Sequence, residues 1–197
     1  MRITVFGAFG DVGARAVEEA RRRGHEVTPV SRRPRPGGEV GDATDPADVV
    51  RLARGADLLI GATRPVPGRE GELVDAARAL LAGSARAGVR LLLVGGAATL
   101  VTPAGVTVEE EPGFPDALRP IARACAEQLA ACLADREADW TYLSPPPLLE
   151  PGERTGAFRV GRDEQVGTRI STADLAVALL DEAEAPAHRR RRFTVGY

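Results

Sequence analysis

The chain has 197 residues, of which 44% are hydrophobic, and a formal net charge of -2. That length supports one domain with one core, and the apolar content excludes a largely disordered chain. The near-neutral charge gives no global pull toward nucleic acid or an anionic membrane, and no apolar run reaches the ~18 residues a membrane helix needs.

Met1 leads directly into a strand pattern. The basic region, apolar stretch and small-residue cleavage site of a signal peptide are missing, so a cytoplasmic protein is expected. In chain order, short apolar runs predict strands at Ile3–Phe6, Glu26–Val30, a brief Glu39–Val40, Asp57–Ile60, Val89–Val94 and Trp140–Leu143. Helical patterns fall between them at Asp11–Arg23, Pro46–Arg54, Glu70–Ala87 and Pro115–Arg136. In the third of these, Leu73, Val74, Ala77, Leu80 and Leu81 form one apolar stripe at helical spacing. Leu91–Val94 is continuously apolar, as a central parallel strand covered on both faces would be. The tail adds a Ser/Thr-capped helix at Thr172–Glu184 and a terminal strand around Arg192–Val195.

Strands alternating with helices imply right-handed β-α-β crossovers. The expected fold is α/β: a single Rossmann-type doubly wound, mainly parallel sheet with helices on both faces, in one domain over residues 1–197. Ligands of such sheets bind at the carboxyl ends of the strands, near the switch in strand order. Three Pro/Gly-rich loops, Pro65–Gly68, Pro103–Gly113 and Pro145–Gly156, are expected to converge there.

The turn Gly7-Ala8-Phe9-Gly10-Asp11-Val12-Gly13 has the spacing GxxGxxG between a strand and a helix. Gly7 permits the tight exit from the strand, Gly10 lets a pyrophosphate approach the backbone, and Gly13 lets the helix pack closely. The helix N-terminus then offers free N–H groups and a positive dipole end. Nucleotide-phosphate contacts are therefore expected at Gly7, Phe9, Gly10, Asp11, Val12 and Gly13. The second strand ends in Ser31-Arg32-Arg33, where an NAD site usually places a carboxylate for the ribose hydroxyls. A guanidinium suits a 2′-phosphate, so NADP(H) is preferred over NAD(H), which stays possible. The other reading of this stretch is a solvated basic loop continuing to Arg35. Asp42, with Ala43 next to it, is expected near the adenine, or else as a turn residue opening the following helix.

There is no lysine; all 26 basic residues are arginine. The two cysteines, Cys125 and Cys132, lie on one helical segment about 10 Å apart by rise alone, too far for a disulfide, and are expected as buried thiols. No Cys/His cluster has metal-ligand spacing.

On these residues the chain resembles the atypical short-chain dehydrogenase/reductase group of small NAD(P)H-binding proteins. That group includes biliverdin-reductase-B-like flavin reductases, NADH-flavin reductases and NmrA-like proteins. The marks are Gly7–Gly13, Ser31-Arg32, Gly41-Asp42, Gly61-Ala62-Thr63-Arg64, Val94-Gly95-Gly96-Ala97, Leu143-Ser144-Pro145-Pro146 and Arg169-Ile170-Ser171. The resemblance implies that Ala62, Thr63 and Arg64 line the central part of the cofactor. It implies that Gly95, Gly96 and on to Ala98 lie by the nicotinamide, with Pro145 and Pro146 walling that end. Two positions depart from the relatives: Pro147 stands where the flavin reductases carry a histidine, and Ala98, followed by Thr99, where many carry a hydroxyl.

Short-chain dehydrogenases reduce ketones with a Tyr-x-x-x-Lys pair, which a chain without lysine lacks. Tyr142 falls within a strand and Tyr197 is the last residue, while His25 and His188 are expected at the surface. One reading is a reductase whose flavin- or quinone-like acceptor takes hydride and collects its proton from solvent, the protein supplying proximity and orientation. Catalytic candidates are then Thr63, Arg64 and Thr99, and Phe114 or Phe158 could stack on the acceptor. A second reading is an NADP(H)-binding redox sensor acting through a protein partner without turnover. A third is an epimerase or dehydratase whose base would come from Glu109-Glu110-Glu111, Asp116 or Glu150, although a solvated acidic run is the plainer account. The arginines at Arg189–Arg192 are expected to face solvent beside the last strand, with no nucleic-acid partner.

Overall fold

The structure, a computed structural model, describes residues 1–197. Its elements are β1 (Arg2–Phe6), α1 (Asp11–Arg22), β2 (Glu26–Ser31), β3 (Glu39–Val40), α2 (Pro46–Ala53), β4 (Leu58–Gly61), α3 (Gly71–Ala87), β5 (Arg90–Val94), α4 (Arg119–Ala134), β6 (Trp140–Ser144), β7 (Leu148–Glu150), β8 (Arg159–Gly161), β9 (Arg169–Ser171), α5 (Thr172–Glu184) and β10 (Arg191–Gly196).

Every residue of β4, β5 and β6 is buried, so these runs must be covered on both faces. They form the centre of an eight-stranded sheet ordered β3-β2-β1-β4-β5-β6-β10-β8. All neighbours are parallel except the β10–β8 pair. Ile3 lies opposite Leu58, Leu58 opposite Arg90, and Leu91 opposite Trp140. β7 and β9 form a separate parallel pair.

The two-residue strand period sends alternate side chains to opposite layers. Ile3, Val5, Ile60 and Leu92 pack with Ala16, Val17 and Ala20 of α1 and Leu175 and Leu179 of α5. Phe6, Leu59, Leu91 and Leu93 pack with Val49 of α2, Leu80 of α3 and Leu129 of α4. Each fully buried leucine contributes about 2 kcal/mol of transfer free energy, which is why this alternation fixes the register. The fold is thus the doubly wound α/β arrangement expected from the sequence. No helix is long and apolar enough to cross a membrane.

The differences from expectation are local. The helix predicted from Pro115 begins at Arg119, after a 3-10 turn at Asp116–Leu118. Pro120 has no N–H to bond backwards, so it is tolerated only in the first turn of α4. The helix stops at Ala134, where the Asp135 carboxylate accepts from the N–H groups of Glu137 and Ala138. The loop predicted over Pro145–Gly156 contains β7, and β8 and β9 add two more three-residue strands. Arg192 does not face solvent. Its side chain is 7% exposed, and it donates to Thr99 Oγ1 at 2.7 Å and Asp163 Oδ1 at 2.9 Å. The histidines are not free surface groups either. His25 Nε2 lies 2.9 Å from Glu184, while His188 Nδ1 lies 2.8 Å from buried Glu182 and stacks on Phe193.

Candidate functional site

Gly7 leaves β1 with φ 78°, and a Cβ there would lie 2.4 Å from the Ala62 carbonyl oxygen. A Cβ on Gly13 would lie 2.1 Å from the Gly7 carbonyl oxygen, so α1 presses directly on the turn. Gly10 differs: its backbone is extended, and a Cβ would meet nothing nearer than the Gly7 oxygen at 3.5 Å. Gly10 also caps α1 without a side-chain hydrogen bond. The first N–H groups of that helix are left free, which suits an anion.

The turn opens into a cleft of about 660 Å³. It crosses the carboxyl ends of β2, β1, β4, β5 and β6, four strand spacings or about 19 Å. The switch in strand order lies under it, between β1 and β4. All three predicted loops reach it, through Pro65, Val108 and Pro145–Pro147.

Of the expected contacts, Gly7, Phe9, Gly10, Asp11, Val12, Ser31, Arg32, Asp42, Ala43, Ala62, Thr63, Arg64, Gly95, Gly96 and Pro145 line the cleft. Gly13, Arg33 and Thr99 do not. Gly13 is taken up by helix packing. Arg33 offers its carbonyl to the Ser31 hydroxyl at 2.6 Å, which tightens the turn after β2. Thr99 is turned away, because both its carbonyl and its hydroxyl accept from Arg192. Asp42 both lines the cleft and makes the turn: its Oδ1 accepts from Thr44 N at 2.9 Å and Thr44 Oγ1 at 2.8 Å.

The opposite wall has no local signal in the sequence. It comes from Glu72, Leu73 and Ala76 of α3 and from Ile121, Ala122 and Cys125 of α4. Helical spacing identifies an apolar face but not the part of it that overhangs a cleft. Cys125 is half-buried there rather than sequestered in the core. Burial pushes its thiol up to about 11, with the charge of Arg64 opposing only in part. Arg64 projects into the cleft as an exposed cation. Thr63 Oγ1 is buried with no hydrogen-bond partner. Arg32 Nη1 donates to Glu72 Oε2 at 3.2 Å.

At the β5 and β6 end the walls are Ala97, Ala98, Val108, Phe114, Ile121 and Pro145–Pro147. Tyr142 lies beneath Gly95, where a Cβ would overlap its ring, and its hydroxyl donates to Gln128 Oε1 at 2.9 Å. Burial raises its pKa well above the ordinary value. It supports the floor and does not reach the cavity. The acidic candidates lie elsewhere. Glu110 closes a capping box with Thr107, Asp116 pairs with Arg119, and Glu109, Glu111 and Glu150 stand outside the cleft. Phe114 lines the cavity, whereas Phe158 packs against the core. No histidine or tyrosine lines the cleft.

Comparison with known proteins gives a consistent picture. A family described as NAD(P)H-binding matches residues 7–186. The "Uncharacterized protein YwnB" of Bacillus subtilis is 36% identical over 208 aligned positions, covering 99% of this chain and 98% of that protein. A crystal structure from Burkholderia pseudomallei, named "Putative exported protein", superposes with a TM-score of 0.92 at 36% identity, with both chains fully covered. SP1627 of Streptococcus pneumoniae, "a putative NADH-flavin reductase", superposes with a TM-score of 0.88 at 28% identity, over 99% of this chain and 98% of that one.

Proposed function

The chain belongs to this NAD(P)H-binding family, and from that premise we propose that it is a reductase, using NADPH in preference to NADH, with a flavin- or quinone-like acceptor. The observation that carries the reading is the union of two features in one cleft. One end is an uncapped helix N-terminus beside an open glycine. The other is apolar and proline-walled, with no histidine or tyrosine lining it and no lysine in the chain. The cofactor fits the residues present. Gly10 leaves room for a pyrophosphate, and the unpartnered Thr63 Oγ1 has a hydrogen bond to give.

In this reading Gly7, Phe9, Gly10, Asp11 and Val12 hold the pyrophosphate side. Ser31 and Arg32 face the 2′-phosphate, and Asp42 and Ala43 face the adenosine. Ala62, Thr63 and Arg64 flank the centre, and Gly95, Gly96 and Pro145 flank the nicotinamide. Residues 1–197 work as one domain. When bound, the reduced nicotinamide supplies a hydride, and an acceptor of this class takes its proton from water. The protein's own part is to orient the two rings, exclude competing geometry, and neutralise charge with Arg64.

The test is NADPH oxidation by the purified chain with a panel of flavins and quinones, with NADPH binding measured in the same sample. Saturable turnover with one acceptor supports the reductase reading. Tight binding without turnover across the panel overturns it and leaves an NADP(H)-binding sensor.

A further inference from the structure

Arg32 and Glu72 both line the cleft and are bonded to each other, Nη1 to Oε2 at 3.2 Å. Glu72 sits in the first turn of α3 and also pairs with Arg69, so its carboxylate is held from two sides. It is the more sheltered partner, with 21% of its side chain exposed against 50% for Arg32. Glu72 is the only carboxylate paired with Arg32. The neighbouring donor is already committed, since the Ser31 hydroxyl is given to the Arg33 carbonyl. A 2′-phosphate arriving at this end therefore depends on a guanidinium that a carboxylate already holds.

We propose that Glu72 sets the cofactor selectivity of this chain by competing with the 2′-phosphate for Arg32. The inference rests on the NADPH reading above. In the free protein the carboxylate accepts from one edge of the guanidinium, whose side chain is half exposed. With a 2′-phosphate on the remaining edge, two anions share one cation at close range, and their repulsion, only partly screened at this half-exposed site, weighs against the phosphate. A cofactor with a ribose hydroxyl at that position meets no such repulsion. Glu72 thus narrows the preference for NADPH and leaves NADH usable. Arg69 also pairs with Glu72, so the carboxylate keeps a counter-charge of its own while Arg32 meets the phosphate.

The experiment is fluorescence titration of the full chain with NADPH and with NADH, at low salt to limit screening. It compares wild type, Glu72→Gln, Glu72→Ala and Arg32→Ala, with thermal melts to confirm folding. Both Glu72 variants should tighten NADPH about fivefold and change NADH by less than about twofold. If Arg32→Ala collapses the NADPH-over-NADH ratio but neither Glu72 variant raises it, the role of Glu72 is overturned and the NADPH reading stands. If Arg32→Ala leaves the ratio unchanged, the NADPH reading fails and this inference fails with it.

Discussion

A single methyl group separates the roles of two glycines in the first turn. On Gly10 it would make only an ordinary van der Waals contact, 3.5 Å from the Gly7 carbonyl oxygen, whereas on Gly13 it would strike that oxygen at 2.1 Å. Gly10→Ala should keep the fold within about 1 kcal/mol and weaken NADPH at least about tenfold by crowding the phosphate cradle. Gly13→Ala should cost about 2 kcal/mol or more by forcing α1 off the sheet. Urea melts and NADPH titrations of both variants check this; equal stability losses would contradict it. Cys125 gives a second test at this scale. With its thiol pushed up to about 11 by burial, little of it is thiolate at pH 8. Iodoacetamide should label the native chain slowly and the urea-unfolded chain quickly, and prompt native labelling would contradict the burial. The glycines and Arg32 were legible because their signal is local in sequence. That Thr99 stands outside the cleft is not legible, because its direction is set by Arg192, 93 positions away.

Among the elements, the segment after β7 is held by two buried carboxylates. Arg154 donates to both oxygens of Glu19 on α1, at 2.9 and 3.0 Å. Thr155 and Gly156 donate their N–H groups to Asp174 on α5, each at 2.8 Å. Arg154, with Arg22 and Arg23, holds the Glu19 carboxyl far below the usual carboxylate range despite its burial. Its folded pKa is lower than its unfolded one, so its stabilisation is complete above the ordinary value near 4.3 and is lost as pH falls through the depressed one. Glu19→Gln should therefore destabilise the chain by about 3 kcal/mol at pH 7. The gap should be as large at pH 5 and should narrow only below about pH 4, as urea melts at each pH would report. A gap already closed at pH 5 would contradict the clamp. Long helices and continuous strands were legible from their periodicity. β7, β8 and β9 were not, because three residues carry too little alternation to read. Pro115 resembles a helix opener and so suggests too early a start for α4, while Pro120 is the residue that fixes the boundary.

Across the whole molecule, the order β3-β2-β1-β4-β5-β6 puts five strand ends in a row under one cleft. Alternating elements predicted that row and the convergence of the loops on it. They did not predict that α3 and α4 supply the opposite wall, since helix–helix packing joins residues far apart in the chain. Nor did they predict that β10 lies between β6 and β8, the last pair antiparallel. The resulting cavity has a helix N-terminus at one end and apolar, proline-lined walls at the other, and its one thiol is pushed up to about 11. In the reading proposed above, hydride transfer to a flavin- or quinone-like acceptor needs no proton from the protein. The most direct test is kcat for NADPH oxidation with a saturating flavin acceptor, followed from about pH 6.5 to 9. Without a protein acid, kcat should vary by less than about twofold across that range. A bell or a sigmoid within it would reveal a titrating group of the protein in the step, and would contradict hydride transfer by orientation alone.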